Sequence, residues 1–170
     1  VVPDISNNFF SDIINALERK LSKSGYSLII SNTNEARKRE LLQLKYLSSG
    51  VVDGIVLASC LRDYSELKDI IPESFPLTLI DRRLMHFQGD SVVSSEHKAI
   101  LKGMDSLVAA GHKKIGFIGN IPHLSTTAER IDSYKEGLAK HSIPYESDLV
   151  KNVTSLSHNA YYFTGQLIEI

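Results

Sequence analysis

Residues 54–58, Gly-Ile-Val-Leu-Ala, decide the fold class of this chain. They form a short apolar run without polar alternation, and such runs are typical of strands that are buried on both faces of a parallel sheet. Similar short runs, rich in Val, Ile and Leu, lie at 26–31, 77–80 and 114–118. We therefore predict four strands of parallel sheet from these runs.

Amphipathic helical patterns lie between the predicted strands. Their apolar residues follow the spacing of one helical face. The five patterns contain Phe10, Ile13, Ile14, Leu17 and Leu21; Leu41, Leu44 and Leu47; Ile100, Met104, Leu107 and Val108; Ile131, Tyr134 and Leu138; and Tyr161, Phe163, Leu167 and Ile168. Thr126 or Thr127 is predicted to cap the fourth helix. Alternating strands and helices predict an α/β fold with right-handed crossovers and helices on both sides of the sheet.

The polar stretch 85–90 is the best candidate for a domain boundary. It divides the chain into two small α/β lobes, predicted at 1–90 and 91–170. The first predicted strand has only Val1 and Val2 before Pro3, and the last helical pattern reaches Ile170 without a returning strand. We therefore expect the chain to be truncated at both ends, with the second lobe incomplete.

The charge balance argues against DNA binding by this segment. The 170 residues carry 19 Lys and Arg against 20 Asp and Glu, which gives a net charge of -1. A module that grips nucleic acid usually carries a basic stripe. The densest basic cluster, Arg37-Lys38-Arg39, is flanked by Glu35 and Glu40, so a solvated helix face is the better interpretation.

The sequence offers no recognisable catalytic or metal-binding motif. Cys60 is the only cysteine, which excludes an intrachain disulfide, and neither CxxC nor HExxH occurs. Gly116 and Gly119 form a GxxG turn that falls short of the phosphate-binding motifs. No apolar stretch approaches the ~20 residues of a membrane span. We expect a cytoplasmic protein without enzymatic activity, metal or cofactor.

Polar residues that follow the predicted strands are candidate ligand contacts, because ligands of α/β sheets bind beyond the carboxyl ends of the strands. Asp81 follows 77–80, where its carboxylate could accept sugar hydroxyls; the alternative is a helix cap or an ion pair with Arg82 or Arg83. Arg130 could hold hydroxyls or a carboxylate with its planar fork. The alternative for Arg130 is an exposed ion pair with Glu129 or Asp132.

Phe9 and Phe10 open the first helical pattern directly after a polar turn. An aromatic ring at this place can stack on a sugar or a base. The alternative is that the rings fill the core, and Phe10 falls on the apolar stripe of the helix. We expect one of the two rings to be a core residue.

Taken together, these motifs resemble the effector-binding domain of LacI/GalR-type transcriptional regulators, in the family's order and over essentially the whole chain. The matching segments are PDISNNFF at 3–10, GYSL at 25–28 with NTN at 32–34, VDGIVL at 52–57, IDRR at 80–83, AGHKKIGFIG at 110–119 and RIDSY at 130–134. The resemblance implies a periplasmic-binding-protein-like (type I) fold of two Rossmann-like lobes.

The same resemblance implies that a small effector, a sugar or sugar phosphate, binds in the cleft between the lobes. It also implies a homodimer and DNA binding through a separate helix-turn-helix domain upstream, which this chain does not contain. The cleft residues that it implies are Asn8, Phe9, Phe10, Ser59, Asp81, Thr126 and Arg130.

Several positions depart from the family pattern. Asn8 stands where proline is usual, Ser95-Glu96 where an Asp-Asn pair is common, Ala99 where glycine is common, and Ser133 where glycine is usual. These changes leave the identity of the effector open. Two alternatives also stay open: a sugar-binding protein of a transport system on the same fold, and a fragment with only a structural or dimerising role.

Overall fold

The computed structural model describes residues 1–153 and 159–170. The chain divides into two compact units, Val1–Val93 and Ser94–Ile170. The sequence placed the division between residues 90 and 91. Both units combine parallel strands with helices, which is the predicted α/β class.

The first unit is built around a three-stranded parallel sheet in the order β1-β2-β3. Its strands are β1 (Ile55–Leu57), β2 (Leu77–Ile80) and β3 (Ser91–Val92). Its helices are α1 (Asn8–Ser22) and α2 (Arg37–Tyr46), and α2 continues into a π-helical turn, Leu47–Val51. The 3₁₀ turn Tyr64–Leu67 follows β1.

Side chains of β1 and β2 are buried on both faces of this sheet. Ile55, Leu57 and Leu79 pack in one cluster with Leu44 of α2. Ala58 and Ile80, with the opposite parity, belong to a second cluster that contains Phe10 of α1. The two clusters explain why these runs lack polar alternation, since apolar side chains pack on both faces of the strands.

The predicted strand at 26–31 is wrong for this structure. The segment has no assigned strand, and its neighbour Asn32 forms only an isolated parallel bridge with Val2. Tyr26, Ile29 and Ile30 are each 54% exposed. Apolar sequence favours a strand, but a strand also requires a partner edge, and the partner here consists of Val1 and Val2 alone.

The second unit has a two-stranded parallel sheet, β4 (Phe117–Gly119) and β5 (Val150–Asn152), with Phe117 opposite Val150. The helices are α3 (His97–Ala109), α4 (Ser125–Lys140) and α5 (Asn159–Ile168), and a 3₁₀ turn, Ser147–Leu149, precedes β5. The predicted strand 114–118 is therefore shorter and shifted by one residue at its end.

Helices α3 and α4 enclose the core of the second unit, which contains Met104, Ile115, Tyr134 and Leu138. The hydroxyl of Tyr134 donates to the carbonyl of Ile115 at 2.7 Å. Gly137 permits the close approach of the two helices, because a Cβ at this position would lie 2.6 Å from Cγ of Met104. The predicted threonine cap of α4 is wrong: Leu124 occupies the cap position, and no side chain caps the helix there.

Along 1–153 and 159–170, every helix is too short or too polar to cross a membrane. Within the same residues, no group of three or more His, Cys, Asp or Glu side chains is placed to hold a metal ion.

Candidate functional site

Ser59 lies two residues after the end of β1 and is fully buried. Its hydroxyl donates to the carboxylate of Glu40 and accepts a hydrogen bond from the backbone N–H of Leu61 at 3.0 Å. Glu40, on α2, is also fully buried and accepts a second hydrogen bond from the N–H of Cys60 at 2.8 Å. The hydroxyl of Ser59 therefore serves an internal network in this conformation and does not face solvent.

Asp81 follows β2 with a φ of 63°, in the left-handed region. Its carboxylate lies 3.5 Å from Nε of Arg82, so the ion pair that the sequence offered as an alternative is present. Arg82 is buried and donates from Nη1 and Nη2 to the two carboxylate oxygens of Glu35, at 2.8 and 2.6 Å. Nη1 also donates to the carbonyl of Ser59 at 3.2 Å, which joins the ends of β1 and β2.

The sequence did not reveal Glu35 and Glu40 as parts of this network. In the sequence they are only acidic neighbours of the basic cluster at 37–39, although Glu40 is buried and Glu35 is largely so. Burial and the Glu40 carboxylate together raise the pKa of the Cys60 thiol far above its usual value. Cys60 is therefore protonated at neutral pH and chemically unreactive while the fold is closed.

The start of α1 places Asn8, Phe9 and Phe10 in different environments. Asn7 caps the helix by accepting from the N–H of Phe9 at 3.0 Å, and Asn8 is the exposed first residue of the helix. Phe9 is 47% exposed, whereas Phe10 is 4% exposed and belongs to the core beneath the sheet. Phe9 is thus the ring of this pair that is available to stack on a ligand.

Thr126 and Arg130 of the second unit line a small surface pocket together with Glu96 and His97. Nη2 of Arg130 donates to Oε1 of Glu96 at 2.8 Å, and Nε donates to Oε2 of the same carboxylate. The hydrogen bonds from Arg130 hold the pKa of Glu96 below its usual value, against the effect of burial. This bidentate partner differs from Glu129 and Asp132, the partners that the sequence suggested.

Two neighbours of Arg130 were missed as pocket residues. Glu96 occupies a position where the family commonly has Asn, and His97 begins α3. The imidazole Nδ1 of His97 lies 3.0 Å from the hydroxyl of Ser133, which in turn donates to the carbonyl of Glu129 at 2.7 Å. Ser133, which stands where the family usually has glycine, thus connects α3 to α4 through its contact with His97. The sequence feature that could have identified Glu96 is its position in the Ser95-Glu96 pair, which differs from the Asp-Asn pair common in the family.

The candidate residues fall into two groups, one in each unit. Asp81 and Ser59 are connected through Arg82 in the first unit, where Phe9 is exposed at the start of α1. Thr126 and Arg130 share one pocket in the second unit.

Comparison with known proteins identifies the family. Residues 1–167 match the family of periplasmic binding proteins and sugar binding domains of the LacI family. The ribose operon repressor of Bacillus subtilis is 26% identical over 86% of this chain and 43% of its own length. Catabolite control protein A of Priestia megaterium is 25% identical over 88% of this chain and 46% of its own length.

A solved structure shows the same likeness. The Cra transcriptional dual regulator of Pseudomonas putida, crystallised with fructose 1-phosphate, has a TM-score of 0.85 and 26% identity, and the match covers 99% of this chain and 62% of that one. The chain spans less than half the length of the curated relatives it matches. The chain belongs to the family of periplasmic binding proteins and sugar-binding domains of LacI-type regulators.

Proposed function

We propose that this chain is the effector-sensing part of a sugar-responsive transcriptional repressor. The match to the sugar-binding family over residues 1–167 is the observation that carries the proposal. The relatives named above are transcriptional regulators, and a non-enzymatic role fits them. In this proposal the complete protein is a cytoplasmic homodimer, and it contacts DNA through a domain outside this chain.

The proposed effector contacts are the polar and aromatic groups that follow the strands. Phe9 offers an exposed ring, and Asp81 offers a carboxylate held in place by Arg82. Thr126 and Arg130 offer a hydroxyl and a planar fork of donors at one pocket. A ligand can change DNA affinity only through its difference in affinity for two states of the protein, so these contacts must differ between those states.

Replacing Arg130 by alanine tests this site. We expect Arg130→Ala to weaken sugar binding by about 10–100-fold, because a hydrogen bond to a charged group contributes about 1.5–3 kcal/mol. The measurement is calorimetric titration with ribose, fructose, galactose and their phosphates. Arg39→Ala, at an exposed position of α2, is the matched control and should bind like the unmodified chain. Undiminished affinity in Arg130→Ala would remove Arg130 from the site.

We further propose that the effector is a neutral sugar rather than a sugar phosphate. The fork of Arg130 already holds the carboxylate of Glu96 on two atoms, and the lowered pKa of Glu96 keeps that carboxylate ionised at neutral pH. An anionic ligand would have to displace this carboxylate and would also be repelled by it.

Removing the charge of Glu96 should therefore weaken the preference for a neutral sugar over a sugar phosphate. We expect Glu96→Gln to raise the affinity for fructose 1-phosphate by about tenfold, equivalent to about 1.4 kcal/mol, with a smaller change for fructose. Glu146→Gln, at an exposed position of the second unit that does not line the pocket, makes the same change in net charge without altering the Arg130–Glu96 pair. Equal gains in phosphate affinity in both variants would indicate that the change in net charge, and not the Arg130–Glu96 pair, is the cause. Tight binding of the phosphate by the unmodified chain would contradict the proposed preference.

A further inference from the structure

His97, the first residue of α3, has an imidazole whose two ring nitrogens lie near two different residues of α4. Its Nδ1 lies 3.0 Å from the hydroxyl of Ser133, and its Nε2 lies 3.7 Å from Oε1 of Glu136. The side chain of His97 is about half exposed, and the residue lines the pocket that contains Thr126 and Arg130. His97 is not among the effector contacts predicted from the sequence.

The hydrogen bonds of Ser133 determine which ring nitrogen of His97 carries the hydrogen. A hydroxyl has one hydrogen to donate. The hydroxyl of Ser133 donates to the carbonyl of Glu129 at 2.7 Å, so it can only accept a hydrogen bond from His97. This requires the hydrogen on Nδ1. In a neutral imidazole the other nitrogen is then an acceptor, so Nε2 of His97 is the atom that can take up a proton.

The Nε2 atom of His97 lies beside a carboxylate with which it forms no hydrogen bond while the ring is neutral. Neither an unprotonated ring nitrogen nor an ionised carboxylate has a hydrogen to donate, and the distance to Glu136 is 3.7 Å. A proton on Nε2 converts this contact into an ion pair between α3 and α4. Histidine is the side chain whose charge ordinarily changes between pH 5 and 8. Because both side chains are about half exposed, the ion pair alone contributes little to stability.

The larger consequence of a proton on His97 is a change in the charge of the pocket. The other charged side chains of its lining are the carboxylates of Glu96 and Glu129 and the guanidinium of Arg130. The lowered pKa of Glu96 keeps its carboxylate ionised throughout the range in which an imidazole titrates. With neutral His97, two carboxylates and one guanidinium leave the lining with a net negative charge. Protonated His97 cancels that charge.

We propose that His97 is a specificity-determining residue of the effector pocket, held by Ser133 so that a proton taken up at Nε2 pairs with Glu136 and cancels the negative charge of the lining. The pocket then disfavours anionic sugars at pH 8 and disfavours them less at pH 5.5. That the pocket binds an effector rests on the proposed function. Ser133 stands where the family usually has glycine, which offers no acceptor to Nδ1, so the arrangement is a feature of this chain.

The first test determines the tautomer of His97 without any ligand, by long-range hydrogen–nitrogen NMR correlation on the isotopically labelled chain at pH 8. We expect the hydrogen on Nδ1 in the unmodified chain. Ser133→Ala removes the acceptor and should increase the population with the hydrogen on Nε2, which can donate to Glu136 instead. A hydrogen on Nε2 in the unmodified chain at pH 8 would overturn the proposal.

The second test measures the charge of the pocket with sulfate, an anion whose own charge is constant between pH 5.5 and pH 8. Sulfate is titrated into the chain while the amide signals of Thr126 and Glu129 are followed by NMR. We expect its affinity to rise at least about threefold from pH 8 to pH 5.5, because a positive charge in the lining attracts an anion. His97→Gln should abolish this rise. His112→Gln, at an exposed position outside the pocket, is the matched control and should retain it.

An equal rise in the unmodified chain and in His97→Gln would overturn the proposal, because another group would then set the charge of the pocket. No rise in the unmodified chain would overturn it too. Titration with galactose and galacturonate at both pH values separates this result from the proposed function. If sulfate responds as expected but neither sugar binds, the effector-sensing function fails and the role of His97 in the pocket charge stands. A gain in galacturonate affinity relative to galactose at pH 5.5 that is lost in His97→Gln would support both.

Discussion

Arg82→Met is expected to destabilise the first unit by about 3–5 kcal/mol, the usual cost of removing one partner of a buried ion pair. The guanidinium is buried and makes a bidentate bond to Glu35, with a further bond to the carbonyl of Ser59. Methionine fills similar space but leaves the Glu35 carboxylate without its buried partner. Urea denaturation monitored by circular dichroism measures the loss.

Arg83→Met is the matched control, since Arg83 is the next residue and is exposed. A change of about 1 kcal/mol or less is expected there. The double variant Arg82→Met/Glu35→Leu should recover part of the loss, because it no longer leaves a lone buried charge. If Arg82→Met and Arg83→Met lost equal stability, the Arg82–Glu35 pair would not have the structural role assigned to it.

The sequence predicted correctly the elements that are determined by neighbouring residues. The run 77–80 matches β2 at both ends, and the core stripe of α1 includes the buried Phe10. The segment 26–31 shows the limit, because an apolar run becomes a strand only when another edge is present to bond it. The cap of α4 failed for a different reason: Thr127 is inside the helix and 1% exposed, so its side chain is directed to the core rather than to the helix start.

The candidate site shows the same division between local and tertiary information. Asp81, Phe9 and Arg130 were found from motifs and from their positions after strands. The bidentate partner of Arg130 was not found, because Glu96 lies 34 residues away in sequence. Glu96 becomes the partner through the packing of α3 against α4. Glu35 and Glu40 likewise acquire their roles only from contacts 19 or more residues away in sequence.

The second large effect is expected at Glu40, whose role differs from that of a simple ion pair. Replacing a buried pair by apolar residues is often neutral, but Glu40 accepts hydrogen bonds from the hydroxyl of Ser59 and the N–H of Cys60. Glu40→Leu would leave both donors buried without this acceptor. At about 1–3 kcal/mol for each of the two unsatisfied groups, we expect a loss of about 2–6 kcal/mol.

The rate at which a thiol reagent labels Cys60 measures this loss of stability next to the substituted residue, Glu40. Cys60 is buried beside Glu40, and burial together with this carboxylate raises the pKa of its thiol, so labelling requires the structure to open. Glu40→Leu removes one cause of the raised pKa, so labelling rates must be compared with urea midpoints for the same variants. Glu73→Leu, at an exposed position, is the matched control and should leave both readouts nearly unchanged.

A double variant separates lost hydrogen bonding from poor packing of the new leucine. Glu40→Leu/Ser59→Ala removes the stranded hydroxyl together with its acceptor, so it should be more stable than Glu40→Leu by about 1–3 kcal/mol. If Ser59→Ala instead adds to the damage, overpacking by leucine rather than a stranded donor causes the loss. Recovery would mean that Glu40 fixes the chain after β1, and Arg82 joins the same turn to the end of β2 through the Ser59 carbonyl. The position of Asp81 as a candidate effector contact would then depend on the carboxylates of Glu35 and Glu40, which are not among the candidate contacts.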